Sequence, residues 1–363
     1  TDRQTDRQTD RQTDRQTDLT KKDTKMIQGL AVLAMVVLHL FDRLDYAGLY
    51  EPSLFIKGYP LIYYFAQISD FCVMGYAFCS GYALAVQYNK CKDVKTYMQN
   101  RIRSIMWLLI NYWIILLGFT IVSALAGNVS SLPGNRIEFV GNFTTVISTY
   151  NGAWWYLFIY IILVLLSPFI LKLCDKVRMS IVLFCSFLIY SSAFYVRFYI
   201  NPDGWILIKY GLFGMILFEF IMGVFCYKSR WIEKLRLTLK KIPSMICKTI
   251  GILIIVLLLI GHTLAVQNVF IAPFTGLVII FVFTLWKKPK AVQNVFCILG
   301  NNSTNIWLIH MFFYATLFKN LVYAAKYPLL ILAYMLGITL IISVFINQLL
   351  YRIKKIVNDR KSV

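Results

Sequence analysis

The sequence predicts an all-α polytopic membrane protein: a bundle of about ten transmembrane helices with both termini in the cytoplasm. Three observations predict it. Of 363 residues, 59% are hydrophobic and only 15% charged, whereas soluble domains carry roughly 25% charged residues. Apolar stretches long enough to cross a hydrocarbon core of ~30 Å recur along the chain. The basic residues are divided very unequally between the segments that join those stretches. This composition excludes a soluble enzyme and a disordered scaffold. A net charge of +20 suggests nucleic acid only when it lies on a soluble basic face, so membrane lipids are the expected partners and nucleic acid is not.

Taken in order, residues 1–18 are four TDRQ units followed by Thr-Asp. The tract is apolar-free and nearly neutral, cannot bury a core, and is read as disordered. Residues 1–25 are therefore a disordered tail and a basic segment before the first helix. Residues 26–351 form the membrane domain, and 352–363 a basic cytoplasmic tail. The expected spans are 26–42, 61–87, 104–126, 153–173, 179–199, 205–227, 245–265, 268–286, 295–318 and 328–350. Dividing 245–286 in two requires a tight turn around Gly261-His262 and Gln267-Asn268. A single helix there would give nine spans and invert the C-terminus.

The charges test the count. With the N-terminus inside, the inner segments hold 26 Lys and Arg and the outer segments six. That division follows the positive-inside rule and supports ten spans. A nine-span chain would put the last five cations outside. The eight cysteines form no CxxC pair; they are read as small apolar packers, with neither a zinc site nor a disulfide framework expected.

Ionisable groups inside a bilayer cost at least ~2.5–3.5 kcal/mol each on insertion scales, so they are retained for a reason. His39 lies in the outer half of the first span, roughly 20 Å along it from Met26, and Asp42 follows three residues later on the same helical face. A neutral imidazole steered by a carboxylate is a general base; the competing reading is a hydrogen bond to another helix and an interfacial anion. Asp70, Lys209 and Glu219 lie within spans, and His262 and His310 near or in later ones. Lys209 and Glu219 are ten residues apart and do not pair along one helix, so each is expected to meet another helix or a wet cavity. His262, beside the expected turn, reads as interfacial. His310 stands in a span opened by Gly300-Asn301-Asn302-Ser303-Thr304-Asn305, a run suited to interhelical hydrogen bonding or a polar cavity.

Arg101 and Arg103 stand at the cytoplasmic start of the third span. They serve either as topology signal and headgroup contact or as a site for a phosphorylated substrate, since Arg suits bidentate phosphate contact. Trp154 and Trp155 close the polar loop 127–152. They are either an interfacial belt or a surface that stacks on a sugar.

Five strings taken together resemble the acyltransferase-3 family of integral-membrane acyltransferases: QGLAVLAMVVLH (28–39), FCSGYAL (78–84) with Arg101-Ile102-Arg103, GAWWYL (152–157), FEFIMGVF (218–225) and LGNNSTNIWLIH (299–310). Their order agrees with the family from 26 to about 350. The resemblance implies ten core helices and transfer of an acyl group, usually acetyl from acetyl-CoA, to a hydroxyl of a cell-surface or lipid-linked carbohydrate. Acetyl-CoA would be a co-substrate and no cofactor would be permanently bound. The bacterial cytoplasmic membrane is the expected location. His39 maps to the family's catalytic histidine, Arg101 and Arg103 to its CoA-holding arginine segment, and Trp154 or Trp155 to its tryptophan at the acceptor rim. Glu219 and His310 lie in the fourth and fifth strings and are assigned to the substrate. The chain departs from the pattern in two places: Gln28 stands where the family has a basic residue, and Ser104 where a second arginine of the pair would fall. The basic role at the first position would shift to Lys25. The rival class is a transporter or flippase for a sugar or lipid-linked intermediate, although the two halves show no internal repeat of the kind common in such proteins.

Overall fold

The computed structural model describes residues 18–127, 132–264 and 268–359. Its first helix, α1 (Lys21–Phe41), precedes a short hairpin of β1 (Phe55–Ile56) and β2 (Tyr59–Pro60). There follow α2 (Leu61–Ile68), a 3-10 turn at Ser69–Phe71, α3 (Cys72–Lys90), α4 (Val94–Leu125) and α5 (Arg136–Phe143). A 3-10 turn at Gly152–Trp154 leads into α6 (Trp155–Lys176), then α7 (Met179–Tyr195), α8 (Trp205–Ser229) and α9 (Trp231–Leu239). The chain continues through α10 (Ser244–Leu264), α11 (Asn268–Leu285), α12 (Lys290–Tyr314), α13 (Lys319–Tyr323) and α14 (Pro328–Asp359).

Each of the ten predicted spans coincides with a helix, and the protein is an all-α polytopic membrane protein. Eight helical segments are long and apolar enough to cross a membrane. The other two predicted spans are α11, which is shorter, and α12, whose middle carries the polar run from Asn301 to Asn305. Three boundaries differ from the sequence expectation. The first helix starts at Lys21 because Thr20 and Asp23 form a capping box: the Thr20 hydroxyl accepts the Asp23 N–H at 3.0 Å, and Asp23 accepts the Thr20 N–H at 3.0 Å. Residues 21–25 are thus helical rather than a basic segment before the helix; of the tail expected to be disordered, residues 1–17 lie outside the described residues. At the other end α14 runs on to Asp359, so most of the basic tail is helix. Gly261 and His262 lie inside α10 and make no turn; residues 265–267, between α10 and α11, lie outside the described residues.

The chain divides into two compact units. The first comprises the chain up to Asp42, Tyr64–Met98 and Leu163–Asn301; the second comprises Arg43–Tyr63, Gln99–Ile162 and Asn302–Val363.

In the first unit α3 packs against α1 and α8, α8 against α7, and α10 against α11. Between membrane helices lipid supplies no hydrophobic drive, so close backbone approach at small residues takes over. Gly29 of α1 and Gly300 of α12 meet in this way: a Cβ at Gly29 would strike the Phe296 carbonyl, and one at Gly300 the Lys25 carbonyl. Gly81 and Gly223 do the same for α3 and α8, each facing the other helix's backbone at Phe220 and Phe78. Around these crossings Met74, Phe78, Tyr82, Tyr190, Phe218 and Met222 form a buried core. Asp18 ties the chain before α1 to this unit, accepting from the Tyr82 hydroxyl at 2.5 Å and from the Ile232 N–H at the start of α9 at 3.1 Å.

The second unit is joined by buried amides. Asn111 of α4 donates to Asn305 of α12 at 2.7 Å; Asn305 donates to Ser343 Oγ and Asn347 Oδ1 of α14, both at 3.0 Å. Ser343 and Asn347 donate back to Asn302 at 2.7 and 3.0 Å. The polar run of α12 is thus interhelical glue. Tyr112 and Trp113 of α4 donate to the Asn142 and Phe143 carbonyls at the end of α5, at 2.6 and 2.9 Å.

Candidate functional site

In the first unit the site is built on α1. His39 sits in its last turn, half-buried, with Nδ1 2.9 Å from the Met35 carbonyl. A carbonyl only accepts, so Nδ1 carries the proton and, in the neutral ring, Nε2 carries the lone pair. The hydrogen bond at Nδ1 is to backbone rather than to Asp42. Asp42 is the helix C-cap, with φ −78° and ψ 63°, and its backbone N–H bonds the Leu38 carbonyl. The Met35 carbonyl holds the tautomer instead. On the same helix Gln28 has a buried Oε1 with no hydrogen-bond partner. Glu219, in the middle of α8, is 5% exposed, and its charge interacts with that of Asp70.

In the second unit the GAWWYL and LGNNSTNIWLIH strings lock onto each other. Trp154 donates its indole N–H to the Leu308 carbonyl at 2.9 Å, and Trp307 donates in return to the Ala153 carbonyl at 3.0 Å. Asn151 also donates to the Leu308 carbonyl at 3.0 Å and caps the 3-10 turn by accepting the Ala153 N–H. Trp154 is 2% exposed, with Tyr112 edge-on at 4.7 Å and Phe312 at 5.5 Å between ring centres. Both its polar group and its ring are engaged, so it anchors the turn. Trp155 is only half-buried and lies edge-on to Tyr156. His310 is fully buried; its Nδ1 is 2.8 Å from the Trp307 carbonyl and its ring stacks on Tyr314 at 5.9 Å. Its tautomer is set as that of His39 is.

Arg101 and Arg103 lie in the second and third turns of α4. Arg101 is half-buried and electrostatically coupled to Tyr160, while exposed Arg103 donates to Asn358 of α14 at 3.2 Å. One turn further, Lys354 of α14 stands 5.1 Å over the ring of Trp107. The end of α14 therefore adds a third cation beside the arginine pair, which the sequence does not reveal because it is some 250 positions away. Trp307, Asn151 and Met35 were likewise not singled out from the sequence; Trp307 lay within a quoted string, and Met35 contributes only its backbone.

Fold and composition define a polytopic membrane protein. Within that class the chain belongs to the acyltransferase-3 family, whose model of an acyltransferase domain matches residues 25–347. The family marks it as an acyltransferase-type membrane protein, and the matched range contains the site residues named above except Lys354 and Asn358 of α14. Comparison with curated proteins and with solved structures finds no match to either.

Proposed function

We propose that this protein transfers an acyl group, acetyl from acetyl-CoA, to a hydroxyl of a cell-surface or lipid-linked carbohydrate in the bacterial cytoplasmic membrane, with both termini cytoplasmic. The His39 ring is the observation that carries this reading: a histidine in the first membrane helix, its Nδ1 committed to Met35, keeps a basic Nε2. Nε2 takes the proton of the acceptor hydroxyl as that oxygen attacks the thioester carbonyl. The C–S bond breaks, and the proton on His39 passes to the departing CoA sulfur, so the reaction releases an ester and a thiol with no net proton. Such a base contributes about 10²–10⁴-fold. Arg101 and Arg103, with Lys354, are assigned to the phosphates of CoA by charge-assisted hydrogen bonds. Trp155 and His310 are assigned to the acceptor, Trp155 by a half-open ring and His310 by a preset tautomer; Trp154 positions both through Leu308 and Ala153.

The test is acetyl transfer by purified protein in nanodiscs, with CoA release measured alongside. His39→Ala and His39→Gln are expected to keep their thermal transition and to lose at least about 10²-fold of the transfer rate. Full activity in either variant overturns the mechanism. Comparing surface glycans of cells with and without the gene by mass spectrometry then identifies the acceptor.

A further inference from the structure

The first unit holds a buried polar cluster that takes in Glu219, the residue assigned to the substrate on the family resemblance. Asp70 lies in the 3-10 turn before α3, Glu219 on α8, His262 in the last turn of α10 and Thr275 on α11. Four separate segments thus each place one polar side chain in the bundle. Asp70 Oδ2 is 3.2 Å from His262 Nε2, and His262 Nδ1 is 3.4 Å from Thr275 Oγ1. His262 is 1% exposed, Glu219 5% and Thr275 6%. One oxygen of each carboxyl, Asp70 Oδ1 and Glu219 Oε2, is buried with no hydrogen-bond partner. Asp70 and Glu219 feel each other's charge, Cys72 and Tyr190 feel both, and Asp42 at the end of α1 is felt by Asp70. Among the described residues, no Lys or Arg is among the charges acting on either carboxyl.

Charge counting then limits the states of this cluster. Two ionised carboxylates that feel each other's charge in a low-dielectric interior repel, and without a balancing cation one of them is kept neutral. One imidazolium can balance one carboxylate. The neutral arrangement therefore holds two protons over three groups: one shared by the hydrogen-bonded Asp70–His262 pair and one on Glu219. The two buried, unpartnered oxygens are where a proton can be added or removed without first breaking a hydrogen bond. Carboxyls and an imidazole exchange protons readily, so the proton is the ligand this chemistry fits.

We infer that Asp70, Glu219 and His262 form an intramembrane proton-exchange site, in which a proton passes between Glu219 and the Asp70–His262 pair. In the exchange the O–H bond on Glu219 breaks, one forms on Asp70, and the imidazolium of His262 offsets whichever carboxylate is left charged. Asp42 is the next acidic group, toward the end of α1, and Thr275 closes the chain at the other nitrogen of His262.

Difference infrared spectroscopy of the protein in nanodiscs, titrated with acid and base, tests the site without reference to acyl transfer. A protonated carboxyl C=O band is expected at neutral pH, lost in Glu219→Gln and titrating at a shifted midpoint in Asp70→Asn and His262→Gln. Should a variant fail to fold, carbon-13 glutamate and aspartate in the unsubstituted protein give the same answer: glutamate labelling must move the band. A spectrum with no protonated carboxyl at neutral pH, a band that Glu219→Gln leaves in place, or a band discharged by sodium at constant pH overturns the inference, the last by making the site one for a monovalent cation. Because this inference does not rest on His39, failure here leaves the proposed acyl transfer standing, and failure of the His39 variants leaves this site standing.

Discussion

His39 and His310 share one local solution: a ring nitrogen turned back onto a carbonyl of the preceding turn, at 2.9 and 2.8 Å. The tautomer of each is thereby set by backbone that no side-chain substitution removes. Asp42 is therefore dispensable for orientation, and Asp42→Asn is expected to leave the transfer rate within a few-fold of the parent protein. A loss as deep as that of His39→Ala would return the steering role to the carboxylate. The two tryptophans separate by measurement in a similar way. Trp154 is buried and bonded, so Trp154→Ala should cost about 3–5 kcal/mol of stability, seen as a lower thermal midpoint. Trp155→Ala should instead raise the KM for acceptor and leave that midpoint near its original value. Arg101→Ala removes a charge-assisted contact worth about 1.5–3 kcal/mol, so KM for acetyl-CoA should rise at least about tenfold with a smaller change in kcat. An unchanged KM would leave Arg101 to the topology signal alone. The positions of His39, Arg101 and Trp154 were legible as sequence strings. What those strings could not show is that Met35 acts through its carbonyl, or that Trp154 is covered on its faces by Tyr112 and Phe312, because both facts depend on which turn and which helix lies alongside.

At the scale of elements, apolar stretches located the helices well because length and hydropathy decide what crosses a bilayer. Their ends were less legible: Thr20 with Asp23 starts α1 five residues early, and helix geometry carries α10 straight through Gly261-His262. Packing was legible only in hindsight. Gly29 and Gly300 both lie in strings that resemble the family, yet nothing in either string says that the two glycines face each other. The structure makes them a single contact, with consequences that differ from those of other helical glycines. Gly300→Ala forces its Cβ into the Lys25 carbonyl and must push α1 and α12 apart, whereas a Cβ at Gly337 of α14 meets nothing within 4 Å. Gly337→Ala should therefore be neutral or stabilise by up to about 1 kcal/mol, the helix preference of alanine over glycine. Gly300→Ala should lower the thermal midpoint clearly, and because α1 carries His39, acyl transfer should fall with it. Equal midpoints for the two variants would mean that α1 and α12 are not held by this crossing.

For the whole molecule the open quantity is parity, since it fixes which side each loop faces. Eight segments qualify as spans outright. If α11 and α12 both cross, or neither does, the termini share a side; if only one crosses, they do not. The length of α11, 18 residues or about 27 Å, nearly matches a hydrocarbon core of ~30 Å. Lys288 completes it by folding back onto the Trp286 carbonyl at 2.9 Å and onto the Phe283 carbonyl. A lysine that bonds the last carbonyls of a helix both satisfies that end and keeps its charge at the membrane surface. The polar middle of α12 does not count against crossing either, because Asn302 and Asn305 spend their amides on Ser343, Asn347 and Asn111 rather than on lipid. Hydropathy alone undervalues such a helix, as it scores the side chains without their partners. Both helices are therefore expected to cross, which puts Lys287, Lys288 and Lys290 with the C-terminus in the cytoplasm and Lys319 and Lys326 outside. Protease-cleavable tags inserted after Pro289, after Lys326 and at the C-terminus of the chain in intact cells check this directly. Only the tag after Lys326 should be cut from outside. Cleavage after Pro289 would show that α11 does not cross, and would place the last five cations on the outer face, against the charge distribution that predicts the topology.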